Sequence, residues 1–446
     1  MGFLYFLSIL IEIGILFYLE KKAWKTLLTP LNFLMLPYLV VLIVSIAISG
    51  RFDFVEFYFP SILIWNVGLL LFAIPSFALA GYARKNNYPT ERTDIEESRI
   101  PLVFTLICVV LLMMFSYRLM STIHSSQFLI GSDDFAEEFA GFGFWAHLKR
   151  FCVVMLMLCI YYVNKRQPWI WIFIIAFMVV SVINMVKGTM IIPVVVGVLL
   201  RLASGKMRIT GRLVLTILIG ALAVFFVSFG LAIVVVNDID INGGVLLWIF
   251  QRFVHYFSSG TLGLSVDMEL GFPDRGDFDV IWTPFINIYN QITGNKEVLS
   301  PVNPTFFFTG ISLTNVRTVF GTLYIYTSPV QFALYTLGLS AFCYTLKIIS
   351  VGFNNLFTCT TYYYFCALLA MGWFEFYFFH LDVVEIPAMI ILLHVLDWMF
   401  MKKEKTFFPS PKGIILSSYG EIPSRAREIP SPKNNMLSHD DVVYNH

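Results

Sequence analysis

Two side chains that could handle a phosphate and a proton stand three residues apart in the segment QRFVHYFSSG. They are Arg252 and His255, and at this spacing they share one face of a helix. Arginine can hold a phosphate through two parallel hydrogen bonds, and histidine can give or take a proton near neutral pH. We therefore predict that both are catalytic. The alternative is an interfacial arginine that packs on a neighbouring aromatic ring.

Lys187 is a second candidate for phosphate binding. It lies in VINMVKGTMIIP, with almost no loop between two apolar runs. A cation at membrane depth costs about 3 kcal/mol or more unless it is paired or hydrated. We expect Lys187 to bind an anionic lipid headgroup such as a pyrophosphate, whereas the alternative is a lysine that reaches along its own chain to the membrane surface.

A third cation, Arg317, lies in the polar stretch TGISLTNVRTVFGTLYIYTSP. Neutral hydrogen-bonding groups surround it, and such a mixture suits sugar hydroxyls and phosphate oxygens together. We predict Arg317 to be catalytic and Asn315 and Tyr324 to bind substrate. The alternative is a polar turn that caps the next helix.

Glu375 and His380 lie in the aromatic segment WFEFYFFHLD. A carboxylate among aromatic side chains suits a general acid or base, so we predict Glu375 to be catalytic and His380 to bind substrate. The alternative is a pair of polar residues satisfied between helices. The acidic loop residues are weaker signals, and most of them are expected to be solvated: Asp133, Asp134, Asp267, Glu269, Asp274, Asp277 and Asp279.

The elements that position these residues are apolar helices. The chain is 58% hydrophobic and 13% charged, with a mean hydropathy of +0.77, far from the roughly 25% charged residues of a soluble domain. This predicts an all-α polytopic membrane protein with about eleven transmembrane helices, since each needs roughly 20 apolar residues. The predicted spans are 2–19, 29–49, 58–82, 100–118, 146–163, 168–186, 189–204, 212–236, 328–349, 357–379 and 383–401, of which the sixth and seventh could form one broken element.

The loops between these spans carry Lys and Arg unevenly. The alternate loops on one side hold 17 cations, and those on the other side hold nine despite being longer. Because cytoplasmic loops are enriched in Lys and Arg, the N-terminus is predicted to lie outside and the C-terminus inside. Arg252, Arg317 and Lys187 then all lie on the outer side, where this bias does not explain them.

One outer loop, 237–327, is about ninety residues long. Its start, GGVLLWIFQRFVHYF, predicts an amphipathic helix at the outer interface. Residues 1–401 are expected to form the transmembrane domain, and 402–446, rich in Pro and Ser, a disordered cytoplasmic tail. The six cysteines lie in apolar runs without metal-binding spacing, so no metal or cofactor is expected. A net charge of +1 gives no reason to expect nucleic-acid binding.

Several segments together resemble the Wzy-type polymerases that join lipid-linked repeats of O-antigen and capsule. They are LTPLNFLMLPYLV, VKGTMIIPVVVGVLL, FQRFVHYFSSG and LTNVRTVFGTLYIYTSPVQFALYTLG. The sequence departs from the family pattern at three places: Lys187 replaces a usual Arg, Arg317 a common Tyr, and Thr327-Ser328-Pro329 a frequent Asp-Phe-Gly. The resemblance covers 1–401 in layout and is specific in about 180–325.

This resemblance implies a GT-C-like helical fold with a large periplasmic loop in a bacterial inner membrane. It also implies transfer of a glycan from undecaprenyl pyrophosphate to a new lipid-linked repeat. The pyrophosphate leaves with the lipid, so neither nucleotide nor metal is implied. Undecaprenyl-pyrophosphate-linked glycans are the implied partners, with a chain-length regulator as a candidate protein partner.

Two other functions are alternatives to a polymerase. An O-antigen ligase would use the same donor with a lipid A core acceptor, and the sequence separates it poorly from a polymerase. A lipid-linked oligosaccharide flippase would be expected to show internal repeats and short loops. The sequence has no such repeats and has a ninety-residue outer loop, which favours chemistry outside the membrane.

Overall fold

The structure is a computed structural model, and it describes residues 2–86, 100–126, 133–141, 143–183, 187–212, 219–220, 243–272, 278–295, 297–300 and 303–400. In chain order its helices are α1 Gly2–Trp24, α2 Pro30–Ile48, α3 Ile62–Lys85, α4 Leu102–Ser125, α5 Asp133–Ala140, α6 Gly143–Tyr162, α7 Ile170–Ile183, α8 Lys187–Ala203, α9 Gly243–Glu269, α10 Asp279–Thr293, α11 Val319–Tyr326, α12 Pro329–Phe353, α13 Leu356–Ala370 and α14 Asp382–Phe400. One-turn 3-10 helices at Phe59–Ser61 and Tyr377–Phe379 precede α3 and α14. A short antiparallel hairpin joins β1, Phe307–Phe308, to β2, Leu313–Thr314.

Within the described ranges, seven helices are long and apolar enough to cross a membrane: α1, α2, α3 with its preceding 3-10 turn, α4, α6, α12 and α14. Three shorter apolar helices, α7, α8 and α13, pack among them. The protein is therefore a predominantly helical, all-α polytopic membrane protein, because these helices are long and apolar and many large apolar side chains are exposed on them.

Ten of the predicted spans overlap described helices. The predicted span 212–236 lies outside the described residues except for 212 and 219–220, and the predicted tail 402–446 lies wholly outside them. The predicted span 357–379 is wrong at its end, because α13 stops at Ala370 and the chain turns at 371–374. The turn is held from outside the helix: the carbonyl of Gly372 accepts a hydrogen bond of 2.7 Å from the backbone N–H of Val319.

Polar residues in the sequence set where the later helices begin. Ser328 and Gln331 form a reciprocal capping box at the start of α12, with bonds of 3.3 and 2.8 Å between each side chain and the other residue's backbone N–H. Thr318 caps α11 by accepting from the N–H of Gly321 at 3.2 Å. The stretch around Arg317 thus does cap the next helix, as one interpretation of the sequence expected.

The core joins the membrane helices to the segment that carries Arg317. The indole of Trp65 in α3 stacks on Tyr38 in α2, with ring centroids 3.5 Å apart. Its Nε1 donates to the hydroxyl of Thr318 at 2.9 Å, and its ring meets the edge of Phe320 in α11. A buried tryptophan needs a hydrogen-bond acceptor for its N–H. Here the acceptor is Thr318, so the bond holds the 315–318 segment against the bundle.

The helix bundle has two ends that the contacts distinguish. At the α9 end, Gly2 lies against Phe59, and the hydroxyl of Ser265 in α9 accepts from the N–H of Tyr58 at 2.6 Å. The far end holds the C-terminal part of α12, where Lys347 Nζ donates to the carbonyl of Leu28 at 3.1 Å. The first helix therefore begins at the α9 end.

The helix expected at the outer interface continues much further than GGVLLWIFQRFVHYF. Residues 246–248 in the first part of α9 are exposed and apolar, as an interfacial helix requires. The second part, from Ser258 to Ser265, is buried inside the protein. Small residues there, including Gly260 and Gly263, allow close contact with other backbone segments, so α9 is a packed element of the site and not only a surface helix.

Candidate functional site

One face of α9 carries a series of polar contacts to the hairpin segment 303–318. Arg252 donates to the hydroxyl of Ser312 at 2.5 Å, and the ring of His255 lies 3.0 Å from the hydroxyl of Thr309. Further along the helix, Gly263 lies against the carbonyl of Val316. Arg252, His255 and Gly263 lie on one face of the helix, so the hairpin segment packs along this face of α9.

Arg252 retains donor capacity for a ligand. Its guanidinium lies 4.9 Å from the ring centroid of Trp248, and its Nη1 bonds Ser312. Its Nε is buried and has no hydrogen-bond partner among the described residues, where Arg252 also forms no ion pair. An arginine carries five N–H donors, so a phosphate could be gripped without breaking the Ser312 bond. The cation–π contact expected from sequence is present as well.

His255 is enclosed, with 4% of its surface exposed. Its Nδ1 faces the Thr309 hydroxyl, and that hydroxyl is also 2.9 Å from the carbonyl of Ser312. The carbonyl of Thr309 in turn accepts from the N–H of Val55 at 3.1 Å, which ties the hairpin to the loop after α2. In this position His255 orients the hairpin that Arg252 also touches.

Arg317 is buried in an ion pair with Asp267 near the end of α9. Its Nε lies 2.5 Å from Asp267 Oδ2, and both side chains are only 1% exposed. The guanidinium also lies 4.6 Å from the ring centroid of Phe307 and 3.4 Å from the carbonyl of Asn315. Asp267 is therefore an exception among the acidic loop residues, most of which were expected to be solvated, because the arginine compensates its charge inside the protein.

The surroundings of this ion pair are also buried. Burial raises the pKa of Tyr326 to about 12, and the nearby charge of Arg317 lowers it while that of Asp267 raises it. Asn315 donates from its amide to the carbonyl of Asn303 at 3.2 Å, so it holds the loop before the hairpin. Arg317 thus fastens this segment to α9, and Asn315 ties the segment to the loop before the hairpin.

The other acidic loop residues are placed differently. Asp134, Glu269 and Asp279 are exposed, as expected for solvated carboxylates. The side chain of Asp133 and all of Asp274 and Asp277 lie outside the described part of the chain.

The turn after α13 packs directly on α9. A Cβ atom placed on Gly260 would lie 2.2 Å from the carbonyl oxygen of Phe374, which leaves room only for glycine. Beside it, the rings of Phe257 and Trp373 are 5.1 Å apart. α9 thus contacts both the hairpin segment and the turn that precedes Glu375.

Glu375 and His380 approach each other beyond this turn. Glu375 Oε2 lies 3.6 Å from His380 Nε2, and their side chains are 15% and 30% exposed. His380 Nε2 forms no hydrogen bond within the described part of the chain. The two side chains are thus close neighbours, and each keeps part of its surface exposed.

A cavity of about 70 Å³ lies between His380 and the start of α8. His380, Asp382, Tyr377 and Gly188 contribute to its wall. A Cβ on Gly188 would lie 3.1 Å from the ring of Tyr377, so the backbone beside Lys187 lies against the segment of Glu375 and His380. The side chain of Lys187 itself lies outside the described atoms.

Four charged or titratable residues near this cavity were not among the candidate site residues selected from the sequence. Arg150 in α6 pairs with Asp382 and, at 2.8 Å, with Glu385 at the start of α14. His147 Nδ1 lies 2.7 Å from Glu385 Oε1. Two signals were available: Arg150 is one of the outer cations, and Asp382 and Glu385 share a helix face three residues apart.

Tyr324 lies apart from both sets of polar candidates. Its ring packs between Phe272 and Phe332, at centroid distances of 5.1 and 6.0 Å. Tyr324 is therefore part of an aromatic cluster with Phe272 and Phe332. Four other candidates, Arg252, His255, Asn315 and Arg317, lie along the hairpin segment. His380 lines the small cavity, Glu375 lies beside His380, and the backbone of Lys187 adjoins Gly188 in the cavity wall.

Comparison with known proteins gives one finding. The model of DUF6337, a family of unknown function, matches residues 53–406. No curated protein and no solved structure matches the chain.

Proposed function

We propose a function for this chain, which belongs to the family of unknown function DUF6337: it joins undecaprenyl-pyrophosphate-linked glycan repeats, as the Wzy-type polymerases that it resembles do. The reaction would take place at the periplasmic face of a bacterial inner membrane. In this proposal the chain crosses the membrane about eleven times in a GT-C-like arrangement, with its N-terminus in the periplasm and its tail in the cytoplasm.

The observation that carries the proposal is the junction at α9. Arg252, with unused N–H donors, lies on this helix, and the turn that leads to Glu375 and His380 packs on the same helix. A glycosyl transfer from a lipid pyrophosphate needs a cation for the leaving group and a base for the attacking hydroxyl. Both are present at one end of the bundle.

The chemistry assigns separate roles to these residues. The hydroxyl of the acceptor sugar forms a bond to the anomeric carbon of the donor, and the bond from that carbon to the pyrophosphate oxygen breaks. Glu375 takes the hydroxyl proton, with His380 beside it, and Arg252 and Lys187 stabilise the departing lipid pyrophosphate. The leaving group supplies the driving force, so no nucleotide enters the reaction.

Arg317, His255 and Asn315 act in this proposal by positioning. Arg317 and His255 fasten the hairpin segment to α9, and Asn315 holds the loop before the hairpin, so together they fix the segment that Arg252 also contacts. A displacement of even 1 Å at a positioning contact can lower a rate about 10²-fold. Tyr324, in α11, packs on Phe272 just after α9 and so helps to hold the end of α9 against α11.

The test is reconstitution of the purified protein in liposomes with lipid-linked repeat units. A ladder of longer glycans, formed also in excess EDTA, is the expected product, since a lipid pyrophosphate needs no metal to leave. With lipid A core present, transfer of single repeats to the core without a ladder would indicate a ligase. Movement of the substrate across the bilayer without any new glycosidic bond would indicate a flippase, and either result would contradict the proposal.

A further inference from the structure

A large cavity opens at the far end of the bundle, away from the candidate site. Its volume is about 1100 Å³, and it lies between the end of α6, the turn at 163–168, the start of α7 and the end of α8. Four cations line it: Lys165, Arg166, Arg201 and Lys206. None of the described residues that line it is acidic. The cavity is therefore an electropositive chamber whose charge the wall itself does not balance.

Arg201 builds one wall of the cavity. Its Nη1 donates to the carbonyls of Ile160 and Val163, at 3.1 and 2.5 Å, where α6 ends and its last carbonyls lack partners in the helix. Lys206 lies 3.9 Å from the ring centroid of Tyr161. Both cations are thereby held at the cavity by contacts to α6, so a ligand would meet an ordered surface.

Lys165 and Arg166 form the second cationic wall. They sit in a tight turn in which the Asn164 side chain accepts from the N–H groups of Arg166 and Gln167 at 2.8 and 3.1 Å. Both side chains are exposed, and neither forms an ion pair within the described ranges. They are available to an anion that enters the cavity.

The same cavity is bordered by aromatic residues that face out of the protein. Trp169 and Trp171 line it and are 37% and 54% exposed. Tryptophan in such a position is typical of the headgroup level of a bilayer. From there an exposed apolar stripe continues along α7 through Ile172, Ile175 and Val179, at helical spacing. A ligand with both an anionic group and an apolar chain fits this combination.

We propose that this cavity binds an anionic phospholipid, with its phosphate between the two cationic walls and an acyl chain along the stripe of α7. A water-soluble anion would use the cations but not the stripe, and a zwitterionic lipid would bring an ammonium group next to four cations. Basic pockets between transmembrane helices suit such headgroups on general electrostatic grounds. The site is independent of the glycan chemistry proposed for the α9 end.

The test compares the purified protein in neutral detergent with added phosphatidylglycerol, phosphatidylcholine or inorganic phosphate. The readout is the melting temperature as a function of ligand concentration. Phosphatidylglycerol should raise it saturably, and the double variant Lys165→Gln/Arg166→Gln should weaken the apparent Kd by about thirtyfold, as expected for two cations near an anionic headgroup. Both residues are exposed, so the variant should fold, and its melting temperature without lipid verifies this.

The matched control is Lys21→Gln/Lys22→Gln. It removes two exposed cations from the last turn of α1, outside the cavity, and should leave the apparent Kd unchanged. If this control weakened the apparent Kd for phosphatidylglycerol equally, the Lys165 and Arg166 effect would be nonspecific electrostatic attraction, and the proposal would be overturned. Equal stabilisation by phosphatidylcholine, or by inorganic phosphate at the same concentration, would overturn it as well, because then the lipid's charge or its chain would have no part in binding.

Discussion

Arg317 and Asp267 are fifty residues apart in the chain and meet through a hydrogen bond of 2.5 Å from Nε to Oδ2, with almost no exposed surface on either side chain. The pair joins the loop after the hairpin to the last turns of α9. Because both charges are removed from water, each is tolerated only in the presence of the other. This ion pair makes Arg317 a structural residue of the site, and the first prediction follows from it.

Arg317→Ala should destabilise the protein by about 3–5 kcal/mol, because it leaves the carboxylate of Asp267 buried without its partner. The measurement is the free energy of unfolding in a denaturing detergent, together with the yield of monodisperse protein. The double variant Arg317→Met/Asp267→Leu removes both charges and should regain most of the lost stability. A single variant as stable as the wild type would contradict the structural role of the pair.

Arg252→Ala should slow glycan elongation by on the order of 10²–10³-fold, the usual loss for one donor to a developing charge. Stability should change little, because Arg252 forms one side-chain hydrogen bond among the described residues, to Ser312. The matched control is Arg51→Ala, an exposed arginine at the same end of the bundle whose side chain donates, within the described ranges, to the carbonyl of Ala47 at 3.5 Å. If the Arg252 variant still made full-length glycan ladders at equal protein levels, Arg252 would not be a catalytic residue.

Glu375→Gln should lower the initial rate of elongation by about 10²–10⁴-fold if this carboxylate is the general base. His380→Gln should also lower the rate, and the double variant should lose little more than Glu375→Gln alone, since residues that act as a unit are not additive. Glu137→Gln, an exposed carboxylate on α5, is the control and should retain the wild-type rate. Strictly additive losses would indicate that the two side chains act independently.

Gly260→Ala should lower the melting temperature, because its new methyl group would lie 2.2 Å from the backbone oxygen of Phe374 and force α9 and the turn apart. Overpacking of this kind costs about 1–3 kcal/mol, and more where backbone must move. Gly338→Ala in α12 is the control, since nothing lies within 4 Å of the added atom. A Gly260 variant that melts no earlier than this control would show that the two segments are not in contact.

A cysteine placed at Gln291 should react with a membrane-impermeant maleimide added to intact cells, whereas one at Ser431 should not. The reason is the uneven distribution of Lys and Arg, which assigns the 237–327 loop to the outside and the tail to the cytoplasm. Gln291 is exposed, and all six native cysteines are buried and free, so the background should be low. Labelling of a cysteine at Ser431 in intact cells would show that the predicted orientation is wrong.

The sequence by itself determined the membrane class and most of the helix positions. An apolar run long enough to span a bilayer is a local property, so α1 and α12 could be placed from composition alone. Local chemistry also located their starts, as with the capping pair Ser328 and Gln331. The spacing of Arg252 and His255 correctly predicted one shared helix face, because helical periodicity needs no tertiary contact.

Only the tertiary structure decided which charges are compensated and where α13 ends. Asp267 has the local pattern of a solvated loop residue, and Arg150 meets Asp382 across 232 positions of sequence. Burial and ion pairing arise between segments far apart in the chain, so no local pattern contains them. The aromatic run after Ala370 would continue a helix by hydropathy, yet Gly372 bonds α11 and the turn packs on α9. Long-range backbone packing there outweighs helix propensity.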